Sequence, residues 1–188
     1  MRQPNILLLN VLLSISFILS LFINNYVYAE DVNSLIRKLN DEEWIVRSEA
    51  AEALGNKGDK KAIPALVAAL NDEENDEDVK WNIIWALGAI GDKEAVPALI
   101  EVLKDNDLQG AASKSLKRIG KDAVPDLTAA LKSKYKLIRW SVADLLGIIG
   151  DPSAIPALME RVNDTDEGVA WSVRRALKRL GWKKEKAK

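Results

Sequence analysis

Two tryptophans stand four residues apart in the stretch VKWNIIWALGAIGD, Val79 to Asp92, and single ones recur in similar stretches at Trp140 and Trp171. Residues four apart on a helix share one side, so Trp81 and Trp85 would present two large rings together. Lys114, Lys117 and Arg175 fall on corresponding sides of related segments. The chemistry these residues offer is recognition, with rings buried against a partner and cations selecting polar groups beside them. Bond-making chemistry is poorly supplied. The 188 residues include no histidine and no cysteine. That removes the commonest general base, the commonest metal ligand, any thiol nucleophile and any disulfide. Glu52 and Asp144 are the carboxylates on the tryptophan side, and their separation in sequence makes a poor acid/base pair. The run NDEENDEDV, Asn71 to Val79, clusters oxygen ligands as calcium sites do, but it lacks the Asp-x-[Asp/Asn]-x-[Asp/Asn]-Gly loop. Acidic residues also favour helix N-termini, so this run reads as a solvated acidic cap. No catalytic residue, metal or cofactor is expected, and the chain reads as a non-enzyme.

The elements that must carry these residues repeat. The segments VRSEAAEALGNKGD, VKWNIIWALGAIGD, LQGAASKSLKRIGK, IRWSVADLLGIIGD and VAWSVRRALKRLGW close on Gly58, Gly91, Gly120, Gly150 and Gly181, spaced 33, 29, 30 and 31 residues apart. Between them recur KAIPALVAAL, EAVPALIEVL, DAVPDLTAAL and SAIPALMERV, with Pro64, Pro97, Pro125 and Pro156. Each unit reads as two helices. Proline suits the first turn of the first helix, where its missing N–H costs nothing. Glycine suits the end of the second, where the chain turns left-handed. Asp59, Asp92 and Asp151 follow as helix-starting caps. Five pairs result, over 31–58, 59–91, 92–120, 121–150 and 151–181.

A single pair of short amphipathic helices cannot bury its apolar stripe, whereas a stack of pairs can. The recurring [Val/Ile]-Arg-x-x-Ala-x-x-Ala-Leu-Gly-x-Ile-Gly-Asp, followed by Ala-[Ile/Val]-Pro-Ala-Leu, resembles the short HEAT-like repeats of the phycobilisome-lyase class. In the first instance Val46, Arg47, Ala50, Ala53, Leu54, Gly55, Gly58, Asp59 and Ala62 to Leu66 carry it. The resemblance covers 31–181 and implies an all-α, right-handed α-solenoid of about five antiparallel helix pairs, an armadillo-type superhelix. It further implies that Arg47, Lys80 and Arg139 form a ladder to acidic residues of the preceding turn, with Asp41 the candidate beside Arg47. Two departures stand out. Gly110, with Ser113 and Ser115, falls inside the third unit's second helix and should weaken it by about 1 kcal/mol relative to Ala. The fifth unit carries Arg174 and Arg179 on its flanks, as a polar C-terminal cap would.

Counting back from each closing glycine, positions −12, −8, −5, −4 and −1 are mostly apolar and cluster on one side at about 100° per residue. That side is the core. Positions −10, −6 and −3 face away and hold Trp81, Trp85 and Gly88; Gly110, Lys114 and Lys117; Trp140, Asp144 and Gly147; Trp171, Arg175 and Lys178. Second helices line the concave side of such a stack. The expectation is therefore a concave groove with Trp81, Trp85, Trp140 and Trp171 as posts, a dip at Gly110, and Lys114, Lys117 and Arg175 as polar selectors. The rival is packing, since a tryptophan can lie over a neighbouring helix. Trp44 and Trp182 read as end-packing residues.

Residues 1–29 are a separate object: Arg2, an apolar run from Ile6 to Ile23, then Val27-Tyr28-Ala29 ahead of the first acidic residue, Glu30. This pattern fits a cleaved secretory signal peptide, with an uncleaved membrane anchor through 6–23 as the alternative. Either places the repeats outside the membrane. Residues 182–188 form a basic tail. The formal net charge of −1 speaks against nucleic acid. The expected function is an exported or membrane-tethered scaffold binding a protein or peptide on its concave face, with self-association open. A bilin or pigment lyase subunit, as in some proteins of the resembled class, and a glycan-binding module are the alternatives.

Overall fold

A computed structural model describes residues 30–183; the signal or anchor expected at 1–29 and the end of the basic tail lie outside them. The described residues form five helix pairs: α1 (Val32–Lys38) with α2 (Trp44–Lys57), α3 (Ile63–Leu70) with α4 (Glu77–Ile90), α5 (Val96–Val102) with α6 (Gln109–Ile119), α7 (Val124–Ala130) with α8 (Lys136–Ile149), and α9 (Ile155–Met159) with α10 (Glu167–Arg179). Successive second helices pack side by side, and each first helix packs on its own partner. One continuous core runs the length of the stack, built of Leu, Ile, Val and Ala from both helix rows. No helix among the described residues is long and apolar enough to cross a membrane.

The punctuation follows the sequence. Gly58, Gly91 and Gly150 close their helices with φ between 67 and 78°, in the left-handed region. The Asp59, Asp92 and Asp151 carboxylates then accept the N–H two residues on, at 2.9–3.0 Å. Each caps a 3-10 turn that feeds the proline-started helix. Gly120 lacks a following Asp. Its turn begins at the glycine itself with no side-chain cap, and its ψ is −130°.

Three expectations change. Gly110 is the second residue of α6, not an interior one, because α6 starts at Gln109 and is 11 residues long against 14 for α2, α4 and α8. The ladder runs forward. Arg47 donates to the carbonyls of Asp41 and Glu42, not to the Asp41 carboxylate, and then to Asn75 Oδ1 of the next pair at 2.6 Å. Arg139 repeats this pattern with the carbonyls of Ser133 and Lys134 and with a two-pronged bond to Asp164 of the fifth pair, at 2.9 and 2.8 Å. Each guanidinium thus fastens its own turn and the next. That fork, ahead of the Asp166 N–H, holds the buried Asp164 carboxyl below the usual carboxylate range. The ends also differ. Trp44 is 46 % exposed and does not pack. Trp182 does pack on the core, and it borders a hollow of about 540 Å³ lined by Met159, Val162 and Leu177 together with Asn163, Arg174 and Lys178, so the outer side of the last pair is mixed apolar and polar.

Candidate interaction face

The spacing of the second helices is set by small residues at two positions. In three units the residue three before the closing glycine is itself a glycine, Gly55, Gly88 or Gly147, and it faces the residue five before the next closing glycine. A Cβ on Gly55 would come within 2.8 Å of Ala86 Cα; on Gly88, 2.7 Å from Ser115 Cα; on Gly147, 2.7 Å from Ala176 Cα. Backbones therefore touch at three of the four seams. This corrects the expectation for position −3, whose glycines are buried in the seams instead of facing solvent.

The fourth seam is the exception. There Lys117 stands in place of the glycine and Leu145 in place of the alanine or serine. Two large side chains replace the small pair, and α6 touches α8 far less than the other second helices touch one another. The gap is a groove of about 190 Å³. Lys114, Lys117 and Ser113 form one wall, and Trp140, Leu145 and Ile148, with Ser141 and Asp144, form the other. Trp140 also borders a hollow of about 290 Å³ with Gln109, Lys136 and Asp166. Gln109 Nε2 bridges the seam to Ser141 Oγ at 2.6 Å, and that hydroxyl donates to the Leu137 carbonyl.

The expected site residues separate into three groups. Trp140, Lys114 and Lys117 come together at the groove. Trp171 and Arg175 lie one helix further on, the guanidinium 5.1 Å from the ring centroid. They join the groove through Asp144, which is 3.7 Å from Arg175 and 2.8 Å from Arg179. Ser172 Oγ donates to the Trp140 carbonyl at 3.2 Å, so the two tryptophan rows are adjacent as expected. Trp81 is separate, on α4, 48 % exposed beside the row of Gly110, where a Cβ would meet nothing. Trp85 departs from the set. It is half-buried against the core, and its ring edge lies over Gly55, 2.6 Å from where a Cβ would stand. It is a wedge between α2 and α4, the packing role that the sequence left open.

Sequence reasoning placed Leu145 in the core, where it is buried, without seeing that it also lines the groove; it missed Ile148 and the pairing of Arg179 with Asp144, which it weighed only as half of a poor acid/base pair. The signal was present: Leu145 breaks a column of Ala and Ser, and Lys117 breaks a column of Gly. Two carboxylates of the acidic turn serve the backbone. Asp76 caps α4 through the Val79 N–H and Asp72 accepts from the Glu74 N–H.

Among solved structures, the complex of CpcE and CpcF of phycocyanin lyase from Nostoc sp. PCC7120 is similar at 27% identity and a TM-score of 0.53, covering 82% of this chain and 66% of that one. The chain therefore spans just under two thirds of that lyase chain's length. An engineered protein matches at 25% identity, TM-score 0.47, over 80% of this chain and 79% of its own. Human deoxyhypusine hydroxylase matches at 20% and 0.39, over 81% and 85%. No curated protein matches. The HEAT-repeat family matches residues 32–117 and 104–178. Matched over nearly all of its described length, and built of the helix pairs those repeats specify, the chain belongs to the HEAT-repeat family.

Proposed function

We propose that the protein is a non-enzymatic scaffold, exported or tethered to a membrane by its N-terminal segment, that binds a protein or peptide on the face formed by its second helices. The observation that carries this reading is the exposure of Trp140 and Trp171 on adjacent rows, 38 % and 52 %, beside an apolar groove. Large rings left in water gain most when a partner covers them, and tryptophan dominates interface energetics. The test is capture from an extract of the source cell by the full chain and by a variant with Trp81, Trp140 and Trp171 all changed to Ala. The rings are exposed, so both should show equal helicity by circular dichroism. A partner held by the wild type and lost by the variant supports the reading; equal capture refutes it.

A second reading, a subunit of a pigment lyase, is favoured by the likeness to the CpcE–CpcF complex. A visible absorbance band that copurifies with the chain would support it.

A further inference from the structure

The α6–α8 groove is apolar on one wall and cationic on the other. Helix α6 carries Lys114, Lys117 and Arg118 and no carboxylate. Lys114 and Lys117 are one turn apart and exposed. Neither makes an ion pair among the described residues. Across the groove, Asp144 also lines it and pairs with Arg179 and Arg175 of α10. Four cations thus stand near one carboxylate, on a chain whose net charge is −1. The volume of about 190 Å³ lies below the roughly 300–1,000 Å³ of small-molecule sites. It suits a side chain from an extended segment.

We propose that this groove takes an acidic peptide segment: one large apolar side chain enters between α6 and α8 against Trp140 and Leu145, and flanking Asp or Glu carboxylates meet Lys114 and Lys117. The assignment rests on the peptide-binding reading above and names its partner class. Complementary charge of this kind sets specificity and register more than raw affinity. Selectivity for acid is therefore the property to measure.

The experiment pans a random peptide library on the full chain and measures the enriched peptides by fluorescence anisotropy. The expected peptides carry Asp or Glu within two residues of Leu, Ile, Phe or Trp. Their affinity should fall at least about tenfold in Lys114→Glu/Lys117→Glu and stay unchanged in Lys61→Glu, a surface control. Peptides resynthesised with Lys in place of the acids should bind the double variant better than the wild type, a gain that misfolding cannot produce. Neutral or basic peptides that need Trp140 but ignore Lys114 and Lys117 would overturn the acidic assignment and leave the peptide-binding reading standing. Binding that survives Trp140→Ala, Trp81→Ala and Trp171→Ala would overturn both.

Discussion

Gly147→Ala and Gly110→Ala are the same substitution, both in helices, and the seam geometry gives them opposite signs. In a helix interior the change from Gly to Ala is worth about 1 kcal/mol in favour of folding. At Gly110, in the first turn of α6, a Cβ meets nothing within 4 Å. Its gain is about 0.4–1 kcal/mol, mostly through the unfolded chain. At Gly147 the new Cβ would stand 2.7 Å from Ala176 Cα and 2.9 Å from its Cβ. The obstacle is helix backbone, so α8 and α10 must part along their length. Overpacking of this kind costs about 1–3 kcal/mol. Set against the propensity gain of about 1 kcal/mol, the net loss is about 0–2 kcal/mol. At about 2–4 °C per kcal/mol for a chain of this size, Gly147→Ala should melt up to about 8 °C lower than wild type and Gly110→Ala about 1–4 °C higher. Thermal and urea melts followed at 222 nm test both. A Gly147→Ala protein stabilised as much as Gly110→Ala would refute the claim that glycine sets the helix spacing.

The Arg139 fork should matter more than its Arg47 counterpart. Arg139→Ala takes the two-pronged bond from the buried Asp164 carboxylate and leaves it the Asp166 N–H and Arg161, 4.0 Å away, an expected loss of about 3 kcal/mol; Arg47→Ala strands the neutral Asn75 Oδ1, about 1–2 kcal/mol. Urea unfolding ranks the two, and equal losses would contradict the assignment. Asp164 also sets a pH dependence. Its folded-state pKa is lowered, first by Arg139. Its stabilisation is thus fully present above the ordinary carboxylate value of about 3.9 and is lost as pH falls through the lower folded value. The stability gap between wild type and Asp164→Asn should be constant from pH 5 to 7 and close in strong acid. A gap that widened on acidification would reverse the sign. Trp81→Ala, Trp140→Ala and Trp171→Ala should each cost less stability than Trp85→Ala, because 38–52 % of each residue already lies in water. Trp85→Ala empties the space over Gly55. A uniform response of all four in melts would mean that the rings share one role.

The fold was legible because its signals are local and recur. A proline, a glycine and an aspartate at fixed offsets each satisfy a backbone requirement that no neighbour can change, and all three kinds stand where the spacing put them. The face of the stack was legible in part. Angular position around one helix identified Trp81, Trp140 and Trp171 as exposed. The same arithmetic misplaced Gly55, Gly88 and Gly147, because a single helix wheel has no neighbouring helix in it. A residue 45° from the outward direction is open or buried according to how closely the next row approaches. That approach depends on the side chain facing it one unit later. For the same reason Trp85 looked like a post and is a wedge. The partner of Arg47 was misjudged in a similar way: its side chain spans to the following turn, and that turn's length varies from unit to unit.

The groove follows from that dependence. A stack whose every seam paired glycine with alanine would close uniformly and leave only shallow furrows between its second helices. Substituting both members of one pair, glycine by Lys117 and alanine by Leu145, does two things at once. It holds α6 and α8 apart, and it furnishes the gap with a cation on one wall and an aliphatic side chain on the other. The shortened α6 starts late at Gln109 and leaves Gly110 bare, with nothing within 4 Å of where its Cβ would stand. The departures from the repeat therefore gather in the third and fourth units, where the exposed lysines and Trp140 meet. Restoring the ordinary seam with Lys117→Gly and Leu145→Ala should draw α6 toward α8 and abolish peptide binding while leaving the fold intact. A protein so altered that binds as before would show that the groove is incidental to the face.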